Sequence, residues 1–331
     1  MNFSLIICTY QRPIAILSLL NSVRKQTLYP NQIIVVDSSK EPDTQHLSLA
    51  STFRNLEYFK VNDKDRGLTK QRNYGISKLV KEAEVVCFLD DDVILEKWYF
   101  ENLLSTYSVF PKALGVGGYI TNEVNWIKQD GDQFKTQGKF YFDSYWREDG
   151  SRFVLRKKLG LDTNEPPAFF PDFGHGRSVS FLPPSGKIYE VEQFMGGVSS
   201  FKKEVFDNHT FSTYFEGYGL YEDADFTLRL SKMGKLYVNT TARLEHHHNS
   251  LGRPNSFKYG KMVLRNGWYV WRIKFPKPNL KSRLKWNATA FLLTLIRFSN
   301  ALTTPSKKEA FLEASGRVVG WLSLIFSKPR S

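Results

Sequence analysis

The sequence predicts an α/β fold organised around a mostly parallel sheet flanked by helices. Three observations carry this. Short apolar runs at 4–8, 33–36 and 85–89 have the length of buried strands. Between the first two, Ile14, Leu17, Leu20 and Val23 recur with helical spacing. Each run stops abruptly at polar or acidic residues: Thr9-Tyr10-Gln11-Arg12-Pro13, then Asp37, then Asp90-Asp91-Asp92.

Pro13 suits a first helical position, where its missing N–H costs nothing. The helix it opens runs to about Gln26, and Tyr29-Pro30 closes the segment. With the strand at 33–36 this makes a βαβ unit. Its right-handed crossover brings Thr9, Tyr10 and Asp37 to one edge of the sheet. Asp37 could accept from ribose hydroxyls or a base there, or simply cap the next turn. A third strand at 56–61 leads through Asp63, Asp65, Arg66 and Gly67 into a helix at 68–81 that carries Arg72-Asn73. Arg66 and Arg72 lie close to acids, where a cation either binds a diphosphate or neutralises its neighbours.

The run at 85–89 delivers three carboxylates. Side chains alternate along an extended segment, so Asp90 and Asp92 are expected to point one way and Asp91 the other. Three adjacent anions repel unless a hard divalent cation or strong donors compensate them. A helix at 96–110 and a strand at 115–120 follow. From 121 to about 190 the pattern is irregular, with Trp126, Tyr141, Trp146 and Phe153 scattered among glycines, prolines and charges. Such a length exceeds an ordinary connection. It reads as an insertion covering a substrate at the sheet edge, or as a satellite core under a long loop. Gly196-Gly197 permit close backbone approach to a ligand or a strand. Glu222-Asp223-Ala224-Asp225 open a helix running to Gly234, and acids in a first turn also complement the helix dipole. A strand at 236–238 and the run Leu244-Glu245-His246-His247-His248 complete this part.

Composition sets the outer limits. The chain has 331 residues, 41% hydrophobic and 24% charged, enough for one large α/β domain with a helical appendage. Cys8 and Cys87 both fall in apolar runs and read as buried thiols rather than a disulfide framework. Net charge is +13, and residues 251–331 hold 16 Lys and Arg against only Glu309 and Glu313, leaving 1–250 near neutrality. Helices are expected at 253–274, 283–299 and 307–326. The apolar runs at 288–296 and 318–326 fall short of the ~18–20 residues that cross a bilayer. A basic, aromatic-rich helical tail of this kind suits an anionic membrane surface. Nucleic acid, the competing partner, would leave both acidic clusters unexplained and is not expected. The chain opens on a strand without the features of a signal peptide, from which a cytoplasmic location is expected.

In order and spacing, Thr9-Tyr10-Gln11-Arg12-Pro13, the 33–37 strand, Arg72-Asn73-Tyr74-Gly75-Ile76, Asp90-Asp91-Asp92, Gly196-Gly197, Glu222-Asp223-Ala224-Asp225 and His246 resemble the family-2 glycosyltransferases. These are inverting enzymes of the GT-A fold, and the likeness, to rhamnosyltransferase-like members of polysaccharide synthesis, covers residues 1 to about 250. It implies a nucleotide-diphospho-sugar donor lying across the sheet edge, held by Thr9, Tyr10, Arg12, Asp37 and Arg72, with Asp90 and Asp91 also facing it. Asp90 and Asp92 match the metal-binding Asp-x-Asp element and His246 the third ligand, for Mn²⁺ or Mg²⁺. Gly196, Gly197 and Glu222 would border the acceptor, and Asp223, with Glu222 as its alternative, would deprotonate the attacking hydroxyl. The implied architecture is a transferase domain at 1–250, with a nucleotide-sugar half at 1–120 and an acceptor half at 121–250, then a helical extension at 251–331. Members with such tails often act on lipid-linked oligosaccharides. A glycan or lipid-linked acceptor and a peripheral position on the inner face of the plasma membrane are therefore expected. A nucleotidyltransferase, which would want glycine in 9–13, and an inactive nucleotide-sugar-binding or membrane-docking protein are the alternatives.

Overall fold

The computed structural model describes residues 1–40, 49–129, 136–215, 217–248 and 254–329. It divides into two compact units, Met1–Asn125 with Pro184–Gly252, and Trp126–Pro183 with Arg253–Ser331. The division is therefore not the linear one at residue 250: the irregular insertion belongs with the C-terminal helices. The physical reason is visible in the second unit, where the Trp271 indole donates to the Asp172 carbonyl at 2.8 Å and stacks on Trp286 at 5.3 Å.

The first unit is a nine-stranded sheet. Its strands are β1 (Phe3–Thr9), β2 (Gln32–Asp37), β3 (Leu56–Lys60), β4 (Val85–Asp90), β5 (Val93–Leu95), β6 (Gly115–Ile120), β10 (Ile188–Val191), β11 (Val198–Lys202) and β12 (Leu236–His246). The order is β10-β12-β6-β11-β4-β1-β2-β3, with β5 paired to β12. Six strands (β1, β2, β3, β4, β6 and β12) run one way; β5, β10 and β11 run against them. The central strands β1, β2 and β4 are buried on both faces, as the apolar runs require. Helices α1 (Pro13–Arg24), α2 (Leu68–Ile76), α3 (Tyr99–Val109) and, further along, α5 (Glu222–Leu230) flank them. Ile16, Leu19 and Leu20 of α1 and Leu103 of α3 close one apolar core over Phe3, Leu5 and Ile7. On the other face α2 approaches β1 so closely that a Cβ at Gly75 would lie 2.7 Å from Ile6.

The helix expected to run from Glu222 to Gly234 ends at Leu230, and two further elements differ from the sequence reading. The helix expected at 68–81 stops at Ile76, because the next N–H groups turn back tightly, Lys78 to Gly75 and Leu79 to Ile76. The strand expected at 236–238 continues to His246, with a register shift between Val238 and Arg243. Asn239-Thr240-Thr241 break the apolar pattern there. The Asn239 side chain accepts from Thr241 N and Oγ1 and donates to the Asn102 carbonyl, filling in for the ladder across the bulge.

The second unit holds a three-stranded sheet, β7 (Ile127–Lys128), β8 (Lys139–Phe142) and β9 (Tyr145–Glu148) in the order β7-β9-β8, and helix α4 (Ser151–Lys158). Three long helices follow, α6 (Ser256–Lys274), α7 (Leu280–Thr303) and α8 (Lys307–Phe326). Asn255 and Asn279 cap α6 and α7 by accepting from Lys258 N and Ser282 N. Glycines let α6 and α8 meet backbone to backbone: a Cβ at Gly260 would stand 2.0 Å from the Glu313 carbonyl, and one at Gly316 2.0 Å from that of Phe257. No helix among the described residues is long and apolar enough to cross a membrane.

Candidate active site

Because the six parallel strands share a direction, their C-terminal ends share an edge, the place where open α/β sheets bind ligands. That edge collects Thr9, Asp37, Asp90 and His246 from four strand ends. Antiparallel β11 starts at the same edge, which brings Gly196-Gly197 beside Asp90; the Asp90 N–H donates to the Gly197 carbonyl at 3.0 Å. A side chain at either glycine is impossible without displacement. A Cβ on Gly197 would lie 2.0 Å from the Asp90 carboxylate, and one on Gly196 2.5 Å from Arg72 and 2.6 Å from Glu222. The glycines thus admit the acids and the arginine of the site.

The three aspartates are arranged differently from the simple alternation. The strand ends at Asp90, and the turn that follows directs both Asp91 and Asp92 to Arg12, whose Nη1 lies 2.8 Å from Asp91 Oδ1 and 3.2 Å from Asp92 Oδ2. Thr9 Oγ1 donates to the other oxygen of Asp91 at 2.7 Å. Burial raises the Asp91 carboxyl to about 6 against the pull of Arg12 and Thr9. Asp92 instead reaches His246, Oδ1 to Nε2 at 3.1 Å. Burial alone would lower the His246 imidazole, but its bonds to Asp92 and Glu123 outweigh burial and raise it to about 10. Of the histidine run, His246 faces the aspartates, whereas His247 pairs with Glu245 and His248 with Glu123.

Arg72 is buried on α2 and linked to two acids, by Nη1 to Glu222 Oε1 at 2.5 Å and by Nη2 to Asp90 Oδ1 at 3.6 Å. Its guanidinium lies over the rings of Phe88 and Phe211. Glu222 starts α5, and its Oε2 is buried without a hydrogen-bond partner. Burial raises its carboxyl to about 8 despite Arg72. The neighbouring Asp223 is also raised, by burial first, while the N–H groups of Ala224 (at 2.7 Å to Oδ1) and Gly196 hold it down. α5 is entered through Tyr221 at φ 72°, an uncommon conformation that sets the direction of the acids behind it.

Asp37 is fully buried and accepts from Ser39 N (2.7 Å), Ser39 Oγ (2.5 Å) and Tyr58 Oη (2.5 Å). Tyr10 stands beneath Arg66, whose guanidinium is 5.2 Å from the ring. Gln71 secures these ends, donating to the carbonyls of Thr9 and Val36 and accepting from Ser38. Cys8 and Cys87 are free thiols, and burial pushes Cys8 up to about 12. Sequence reasoning missed Gln71, Tyr58 and Glu123. Glu123 carried a usable signal, an acid just beyond a strand end like Asp37 and Asp90.

Ligand atoms of Asp90, Asp92 and His246 lie within 4.8 Å of one another. Two carboxylates and an imidazole are hard or borderline donors that fit Mn²⁺ or Mg²⁺.

Residues 4–161 match the model of "Glycosyl transferase family 2". The O-antigen chain rhamnosyltransferase RfbN of Salmonella typhimurium is 35% identical over 95 residues, 29% of either chain. The glucosyl-dolichyl phosphate glucuronosyltransferase of Haloferax volcanii is 27% identical over 146 residues, 43% of this chain and 44% of that one. The matched stretches thus span less than half the length of these curated relatives. Among solved structures, S. aureus TarS 1–349 in complex with UDP superposes with a TM-score of 0.51 at 16% identity, over 93% of this chain and 77% of that one. GalNAc-T7 with UDP, GalNAc and Mn²⁺ gives 0.52 at 14% identity, over 92% and 58%. At such identities the structures speak for the fold alone, the mostly parallel GT-A sheet. Residues 4–161 are thus similar to the glycosyl transferase family 2 domain, and the fold is that of the GT-A glycosyltransferases.

Proposed function

We propose that the protein is a metal-dependent, inverting glycosyltransferase that moves a sugar from a nucleotide-diphospho-sugar to a hydroxyl of a glycan or lipid-linked acceptor in surface-polysaccharide synthesis. The observation that carries this is the meeting of two acidic groups at one sheet edge: Asp90 and Asp92 with His246, and Asp223 with Glu222, joined by the buried Arg72. The relatives point the same way, one named for rhamnose transfer and the other for glucuronosyl transfer to a dolichyl phosphate glycolipid.

In this reading Asp90, Asp92 and His246 hold Mn²⁺ or Mg²⁺, as the Mn²⁺ in the GalNAc-T7 structure suggests. A cation bound there supplies positive charge to the departing nucleoside diphosphate. Thr9 and Arg12 fix Asp91, which with Tyr10 and Asp37 borders the nucleoside side of the donor. Arg72 counters the negative charge between Asp90 and Glu222 and keeps both acids in place. Asp223 takes the proton of the acceptor hydroxyl as it attacks. Its raised pKa makes it a better base than an ordinary aspartate, and direct attack opposite the leaving group inverts the anomeric centre. Gly196 and Gly197 let Asp90, Arg72 and Glu222 close in on the acceptor side of the site, where a side chain would hold them off.

The second unit supports a membrane partner. It carries 25 Lys and Arg against 10 Asp and Glu. On α7, Leu280, Leu284, Phe291, Leu295 and Leu302 are exposed. At 100° per residue they share one narrow stripe, opposite the buried Ser282, Trp286 and Thr289. α8 likewise exposes Phe311, Leu322, Ile325 and Phe326. Apolar stripes within a cationic unit fit an anionic bilayer; a second copy of the same surface would be repelled by its like charge.

The test is calorimetric titration of the whole chain with UDP-, dTDP- and GDP-sugars, in Mn²⁺ and then in EDTA. One donor is expected to bind, and only with metal. Equal binding in EDTA would contradict the metal reading, and no binding of any donor would contradict the transferase reading.

A further inference from the structure

We propose that Glu123, supported by Asn122, is a positioning residue that presents His246 to the cation site. This rests on the reading of Asp90, Asp92 and His246 as metal ligands. The backbone comes first. β6 and β12 are parallel neighbours paired Tyr119 to Arg243 and Ile120 to Leu244, so residues 121 and 122 continue alongside 245 and 246 at the sheet edge. Thr121 donates to the Leu244 carbonyl from both N (2.9 Å) and Oγ1 (3.1 Å). The Asn122 amide then takes the place of a further strand residue. Its Nδ2 donates to the His246 carbonyl at 3.0 Å, and its Oδ1 accepts from the His246 N–H at 2.9 Å.

With its backbone held on both sides, the imidazole is held at both nitrogens. Nδ1 lies 3.1 Å from Glu123 Oε1, and Nε2 lies 3.1 Å from Asp92 Oδ1. Turning the ring breaks both contacts. A neutral imidazole that binds a cation through Nε2 carries its proton on Nδ1, and a carboxylate at Nδ1 both selects that tautomer and strengthens the ligand. His248 completes the arrangement: its Nε2 is 2.9 Å from the same Glu123 oxygen, and its ring lies 4.0 Å from that of His246. Glu123 thus has its own anchor, which is the part an orienting residue needs and a chance surface acid lacks.

The experiment is a Mn²⁺ titration of the whole chain without donor, followed by electron paramagnetic resonance, with pulsed detection of nitrogen coupled to the bound ion. Wild type should bind one Mn²⁺ with a coupled imidazole nitrogen. Glu123→Gln and Asn122→Ala should each melt near the wild-type temperature. Glu123→Gln should bind Mn²⁺ about 10- to 100-fold more weakly and with altered nitrogen coupling, and Glu123→Asp should recover part of the loss. Unchanged affinity and coupling in Glu123→Gln would overturn the positioning role, as would a fall from two bound ions to one, which would make Glu123 a ligand of a second site. Asp92→Ala separates the two levels: if it leaves Mn²⁺ affinity unchanged, the cation reading itself fails.

Discussion

The two units handle charge in opposite ways. In the first, 21 Lys and Arg nearly balance 23 Asp and Glu, and the charges are drawn together at one sheet edge. In the second, 25 cations exceed 10 anions, and most of the excess is turned to solvent beside exposed leucines and phenylalanines. Among its described residues the buried Arg177 pairs with Asp149 and Asp162, with the rings of Phe140, Phe153 and Phe181 within 4.7 Å of its guanidinium. That arginine donates to both oxygens of Asp149 and to Asp162. Asp162 leaves its Oδ1 without a hydrogen-bond partner there too, but the unpartnered Glu222 Oε2 and the raised Asp223 of the first unit lie at the edge where the parallel strands end. The comparison teaches that buried charge alone does not mark a site. Buried charge with unmet capacity at the shared strand edge does.

The sharpest way to break the comparison is to disturb the packing that holds the second unit. Gly316→Val sets a side chain against the Phe257 carbonyl and is expected to cost ~3 kcal/mol or more. Six of the seven tryptophans (all but Trp98) lie in this unit, so urea unfolding followed by tryptophan fluorescence reads it directly. A wild-type midpoint would mean that α6 and α8 do not depend on their close approach.

For each pH unit, a smaller effect comes from acid. Burial, with Arg156 adding to it, lowers His175 of the second unit to about 3. Above pH 6.5 the imidazole is neutral in both folded and unfolded chains and contributes no pH dependence. As pH falls from 6.5 towards 3, the unfolded chain takes up a proton that the folded chain refuses, and stability falls by up to ~1.4 kcal/mol per pH unit. The same tryptophan signal should show a shallower acid slope in His175→Gln than in wild type. Equal slopes would place the acid sensitivity elsewhere.

The smallest effect on stability should accompany a clear effect on docking. Leu284→Ser with Leu295→Ser changes two exposed residues of the α7 stripe and should move stability by no more than about 0.5 kcal/mol per site. Sedimentation with phosphatidylglycerol vesicles should nevertheless drop about 10-fold. Unchanged sedimentation, or equal binding of wild type to uncharged vesicles, would contradict an anionic bilayer as the partner.

How much of this was legible in the sequence follows the same division. Strand ends were readable because a buried strand that stops at an acid is a local pattern, and Thr9, Asp37, Asp90 and His246 do share an edge. The three C-terminal helices were readable from their periodicity to within a few residues. Asp92 meets Asp90 at one site, as the alternation predicts. The direction of Asp91 was not legible, because a turn after Asp90 gives it a contact to Arg12 shared with Asp92, 79 positions away for Asp91. The continuation of β12 was hidden by the polar Asn239-Thr240-Thr241 bulge. The joining of 126–183 to the C-terminal helices was hidden too, since its evidence is tertiary, in contacts such as Trp271 with Asp172. Glu123 was overlooked for a related reason: its partner His246 is distant in the chain, and only the parallel pairing of β6 with β12 makes them neighbours.

The central claim is that one edge carries two separable tasks, donor and metal binding at Asp90, Asp92 and His246, and proton removal at Asp223. Asp223→Asn tests it most directly, with the donor found by calorimetry and a glycan or lipid-linked acceptor. Donor and Mn²⁺ affinities should stay close to wild type while transfer falls about 10²- to 10⁴-fold. Wild-type transfer by this variant, or loss of donor binding in it, would contradict the separation of tasks.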